Sequence, residues 1–167
     1  AGPRSAYPDS GAGERKIGVG ELGFIDIGLF YRGYKGDMTR AFVVGELRPE
    51  LQRLLETVDR VQRMAIDLAR PGVRCRELFA TVERAFTDAG YPDCPPHHLG
   101  HALGLGGDRP SLVPTSDEAL EEGDVITLEP GAYVQGLGGV RIEDAVIVHG
   151  AGAELLCGTQ RVTTIPV

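Results

Sequence analysis

At 167 residues, 42% of them hydrophobic, the chain suits one domain with a substantial core and is short for two. A formal charge of −7, a pI near 5.1 and the lack of any Lys/Arg-rich run exclude an anchor for nucleic-acid phosphates or an anionic membrane surface. No stretch approaches the roughly 20 apolar residues that span a bilayer, the first residues lack the basic-then-apolar pattern of a secretion signal, and a cytoplasmic setting is expected.

Residues 1–20, rich in Gly, Pro, Ser and Arg, read as an irregular, partly ordered lead-in, with a single domain over 21–167. From Glu21 to Gly45, short β-prone runs alternate with glycine-containing turns. The pattern predicts a hairpin with strands over Phe24–Tyr31 and Asp37–Val44. Asp26 and Asp37 then lie on paired strands, and the turn register decides whether they share a face. Pro49 opens a helix in which Leu51, Leu54, Leu55, Val58, Val61, Met64, Ala65 and Leu68 recur at three- and four-residue spacing up to Pro71-Gly72. A second helix is predicted over Arg76–Ala89, stopped by Gly90. Residues 93–114 are dense in glycine and proline and hold His97, His98 and His101; such a segment brings backbone close to a site. A short helix over Ser116–Leu120 is expected next, and then GDVITLEPG and GVRIEDAVIV as a second strand pair bearing Glu129 and Glu143.

Cys75, Cys94 and Cys157 show no CxxC spacing, which predicts reduced thiols rather than a disulfide framework or a thiolate zinc site. Cys94 is a candidate nucleophile only through its nearness to His97 and His98, since nothing in its sequence context supplies an activating base.

The residues that carry chemistry are Asp26 in FIDIG, Asp37 in GDMTR, His101 in LGHALGLG, Glu129 in TLEPG and Glu143 in VRIED. A carboxylate in an apolar strand environment is costly unless paired or bound to a cation, and four that converge repel one another. The set therefore points to a two-metal hydrolytic site. Singly, each acid has a plainer reading: Asp37 as a turn residue after Gly36, Glu129 as an exposed strand end before Pro130, Glu143 as the partner of Arg141 in a surface ion pair.

Taken in order, IDIG, GYKGDMTR, HHLGHALGLG, LEPGAY and GGVRIED resemble the metal signature of the pita-bread metallopeptidases (M24), and the RIED form is similar to the branch of Xaa-Pro aminopeptidases and proline dipeptidases. The resemblance implies an α+β pita-bread fold, a curved antiparallel sheet with helices on its outer face, incomplete at its N-terminus. It also implies two divalent metal ions, with Asp26 on one, Asp37 and Glu143 bridging, and His101 and Glu129 on the second. Oxygen-rich ligation with one imidazole suits Mn, Co, Zn or Fe without choosing among them. By the same resemblance Glu129 is the general base, His97 lies on the substrate side together with Arg141, and the reaction is cleavage of an amide bond in an Xaa-Pro peptide or a small amide substrate.

Two positions depart from the family pattern. Asp108 stands where the family has a second histidine, seven residues after His101, and Asp9 stands near an upstream histidine. Both imply an altered substrate pocket, in which the acid at Asp108 suits a cationic group. The chain is also short for the resemblance, so completion by a further polypeptide segment or a homo-oligomer is expected. The alternatives are a pita-bread module that binds peptides or proteins without cleaving them, and a hydrolase of a non-peptide amide.

Overall fold

The computed structural model describes residues 1–8, 11, 13–106 and 109–167. The first hairpin pairs β1 (Leu22–Tyr31) with β2 (Tyr34–Val44). Tyr31 opposes Tyr34, so Arg32-Gly33 forms a two-residue loop with φ of 51° and 89°. Positive φ at both positions is the turn geometry whose twist matches that of the flanking strands. Asp26 opposes Thr39, and Gly28 opposes Asp37. Side chains alternate along a strand and cross-strand partners share a face, so this register puts Asp26 and Asp37 diagonally on one face.

Helices α1 (Pro49–Leu68) and α2 (Cys75–Asp88) fall within a residue of their expected bounds. Leu51, Leu54, Leu55, Val58, Val61 and Ala65 are buried, the one-sided stripe that drives a helix onto a sheet. They join Phe86 of α2 and Leu99, Ile126, Leu128, Ile142 and Val146 in one core cluster. The helix expected over Ser116–Leu120 does not form. The segment is extended instead, with Cys75 N donating to Glu118 O at 2.9 Å, Leu120 N to Val73 O at 2.9 Å and Gly72 N to Leu120 O at 2.8 Å. Pairing with the turn between the helices satisfies these backbone groups, whereas so short a helix would bear the full nucleation cost for few bonds.

The second strand pair is present but interrupted. Its first limb divides into β5 (Val125–Leu128) and β6 (Gly131–Val134), and its second into β7 (Gly138–Arg141) and β8 (Asp144–His149). β5 pairs with β8 and β6 with β7, so both breaks face each other, at Glu129-Pro130 and Ile142-Glu143. Pro130 has no N–H to continue the ladder. At the breaks the backbone turns to other neighbours: Glu129 N donates to Leu99 O at 2.9 Å and Glu143 N to Thr39 O at 3.1 Å. The two glutamates thereby tie this hairpin to the histidine segment and to β2.

Two short strands flank this arrangement, β3 (Gly100–His101) paired with β4 (Ser111–Leu112). A Cβ on Gly100 would lie 2.0 Å from the carbonyl oxygen of Thr127, so only glycine lets β3 press this closely on β5. β9 (Gly152–Leu155) extends β8, and β10 (Val162–Ile165) joins β2 in parallel. Within the lead-in, a 3-10 helix over Gly2–Ala6 sits against β7, with Gly139 N donating to Ser5 Oγ at 2.8 Å.

Asp144, 1% exposed, knots these parts together. It receives Arg40 Nη2 of β2 at 2.7 Å, Arg161 Nη2 ahead of β10 at 3.0 Å and Gln62 Nε2 of α1 at 3.0 Å. At the far edge of the sheet, Ile25, Ile27 and Leu29 of β1 present a half-exposed apolar row. Among the described residues no helix is long and apolar enough to cross a membrane.

Candidate metal centre

Oxygens of Asp26, Asp37 and Glu143 lie within 4.8 Å of one another, brought together by the β1–β2 register and the break before β8. His101 Nε2 stands 3.7 Å from Asp37 Oδ2 and 3.7 Å from Glu129 Oε1, linking the trio to the fifth residue. His101 Nδ1 is 2.9 Å from the carbonyl oxygen of Ala102. A carbonyl can only accept, so Nδ1 bears a proton, and in the neutral ring the lone pair then lies on Nε2 toward the acids, the tautomer that ligates a cation. All five residues line one cleft of about 1050 Å³.

The plainer readings of the acids do not hold. Asp37 lies inside β2, Glu129 is buried, and Glu143, 1% exposed, takes the Thr39 hydroxyl at 2.7 Å while Arg141 pairs with Asp26 instead. Against the expectation of four enclosed carboxylates, the Asp26 side chain is 41% exposed, whereas both glutamates are buried.

Electrostatics mark where positive charge is wanted. Burial, followed by the nearness of Glu129, Asp37 and Asp26, pushes the carboxyl of Glu143 up to about 8. Burial also raises Glu129, against the opposing pull of His98, Thr127, His101 and Arg141. Acids this close and this enclosed are relieved by a divalent cation or by protonation. Four carboxylates and one imidazole form a donor set of the kind that holds such cations, so these residues fit a metal centre.

Other contacts shape the cleft wall. Arg141 fans out to three partners: Asp26, the Tyr133 hydroxyl from Nη1 at 3.0 Å, and Thr39 Oγ1 from Nε at 3.3 Å. Its guanidinium also lies 5.2 Å from the Phe24 ring centroid. His97 Nδ1 contacts the carbonyl of His98 at 2.7 Å, which makes Nδ1 the donor and leaves Nε2 to accept from the Tyr133 hydroxyl at 3.0 Å. Burial pushes the phenol of Tyr133 up to about 12, so it remains a neutral donor. Cys94 is buried and burial raises its thiol, the opposite of nucleophile activation. Asp9 and Asp108 lie outside the described residues.

Sequence reasoning missed Tyr133, Thr39, Thr127 and His98. Thr127 Oγ1 donates to Glu129 Oε1 at 3.0 Å, and two-residue spacing on one strand was the available signal. Tyr133 sits inside the LEPGAY motif. Thr39 became identifiable only once the register placed it opposite Asp26.

Comparison with known proteins identifies the family and the fold. The family model described as metallopeptidase family M24 matches residues 1–150. The chain is 39% identical over 162 residues to the Xaa-Pro dipeptidase of Pyrococcus furiosus, across 96% of this chain and 47% of that protein. It is 39% identical over 156 residues to the putative dipeptidase YkvY of Bacillus subtilis, across 93% of this chain and 43% of that one. The solved Xaa-Pro dipeptidase from Bacillus anthracis matches with a TM-score of 0.92 at 36% identity, over 98% of this chain and 47% of that chain. The chain spans about half the length of the relatives it matches, and over that span its mixed α/β architecture is the pita-bread fold expected from the motifs.

Proposed function

The chain belongs to metallopeptidase family M24, and from that premise we propose that it forms the dinuclear centre of a hydrolase that cleaves the amide bond of an Xaa-Pro dipeptide or peptide N-terminus. One observation carries the reading: Asp26, Asp37, His101, Glu129 and Glu143, drawn from separate segments, converge on one cleft. Asp26, Asp37, His101, Glu129 and Glu143 would hold the pair of cations between them. Bound there, Mn, Co, Zn or Fe ions supply Lewis acidity toward the scissile carbonyl and acidify a water.

The remaining work belongs to the protein. Glu129, its Oε1 fixed by the Thr127 hydroxyl, accepts the proton of the attacking water as the general base. The chain of donors from Arg141 through Tyr133 to His97 holds polar groups rigidly on the substrate side, so their orientation costs nothing at the moment of reaction. Arg141 also keeps Asp26 in place. Asp108 favours substrates with an extra cationic group.

The test is metal content by elemental analysis, combined with hydrolysis of an Xaa-Pro panel that includes cationic side chains, for the wild type and Asp108→His. The expected result is close to two metals per chain, cleavage, and a substrate preference that shifts in the variant. Metal without cleavage would favour a binding module; absence of both would end the hydrolase reading. An unchanged preference in Asp108→His would remove the altered pocket alone.

A further inference from the structure

Glu129 is flanked by two imidazoles. On one side is His101; on the other, His98 brings Nδ1 to 3.5 Å from the same Oε1 that His101 Nε2 approaches at 3.7 Å. The backbone fixes this contact from both ends. The His98 carbonyl accepts the Nδ1 proton of His97 at 2.7 Å, and the next residue, Leu99, accepts the backbone N–H of Glu129 at 2.9 Å. The His98 ring also packs edge-on against the rings of His101 and His97, with centroids 5.5 and 5.8 Å away. Nδ1 of His98 therefore stands within ion-pair distance of one carboxylate oxygen, with the backbone holding both residues in place.

We propose that His98 is a positioning residue: its Nδ1–H, together with the Thr127 hydroxyl, holds the carboxylate of Glu129 in the orientation that grips the second cation. The inference rests on the reading of Glu129 as a metal ligand and extends it to a residue with no other assigned task. Partners that orient a ligating group are worth about ten- to a hundredfold in metal affinity. The His98 side chain is 42% exposed, so its removal opens no cavity in the core.

Calorimetric titration of the metal-free chain with Mn²⁺ tests this, with thermal melting alongside. In His98→Ala, affinity at one site or more should fall about tenfold while the metal-free melting temperature stays at the wild-type value. His98→Asn, whose amide N–H can stand near the lost Nδ1–H, should recover most of the affinity. Equal affinity in His98→Ala and wild type, with Glu129→Gln still weakening binding, would overturn the role of His98 and leave the metal centre intact. A loss that asparagine does not restore would overturn a donor role. Failure of the wild-type chain to bind Mn²⁺ would overturn both this inference and the reading beneath it.

Discussion

Glu143 pays for its place in the metal-free protein: enclosed at 1% exposure and faced by other acids, its carboxyl titrates near 8 instead of 4.5. A folded-state pKa above the unfolded one means that the native state binds the extra proton. The associated stability is fully present below about 4.5 and is lost as pH rises through 8. Glu129, also raised by burial, acts in the same direction, whereas Glu21 and Glu118, lowered by an Arg15 hydrogen bond and a Ser111 backbone hydrogen bond respectively, act in the acid window below 4.5. Urea unfolding of metal-free protein should therefore show a midpoint that falls between pH 5 and pH 8, and Glu143→Gln should flatten that slope. A slope as steep in the variant as in the wild type would show that the proton resides elsewhere. The sequence disclosed the acids but not this asymmetry among them, because exposure depends on which strand covers which; Asp26, on an edge strand, keeps its water while Glu143 does not.

The interrupted hairpin shows what periodicity can and cannot disclose. Alternation located both limbs, and Pro130 in principle announced the first break, yet the facing break at Ile142-Glu143 has no proline or glycine to signal it. It exists because Glu143 N finds Thr39 O across the sheet, a tertiary fact. Residues 116–120 failed for a related reason: their backbone partners lie beyond Leu68, in the turn between the helices. β3 depends on a similar close approach, and Gly100 is its weak point. With 2.0 Å between an added Cβ and the Thr127 carbonyl oxygen, Gly100→Ala must push β3 off β5. The expected cost is about 1–3 kcal/mol in urea unfolding, the range for overpacked sites, together with weaker Mn²⁺ binding, since His101 is the next residue. Wild-type values for both would show that the backbone yields freely there.

Across the whole molecule, order along the chain proved the most legible property. Five motifs in order conveyed the fold through their resemblance to a known family, whereas the packing that draws them together left little trace. Asp144 illustrates the gap: as part of RIED it hinted at a branch of the family, and in the structure it joins β2, α1 and the approach to β10 through Arg40, Gln62 and Arg161. Asp144→Ala strands two arginines in a desolvated setting, and breaking such a pair costs about 3–5 kcal/mol. Thermal melting should show a large drop, and a shift within error would mean that water enters to replace the carboxylate. Ile25, Ile27 and Leu29 keep about half their surface exposed on the outermost strand of the first sheet. The facing breaks have a wider consequence. Since β6 and β7 are clasped from Gly131↔Arg141 to Val134↔Gly138, the spacing of Glu129 and Glu143 is set below the hairpin tip and not by it. Lengthening the tip costs little, rising only with the logarithm of loop length, and Val134 and Gln135 border the cleft. The mouth can thus be remodelled to admit other molecules while the acids beneath it stay where they are.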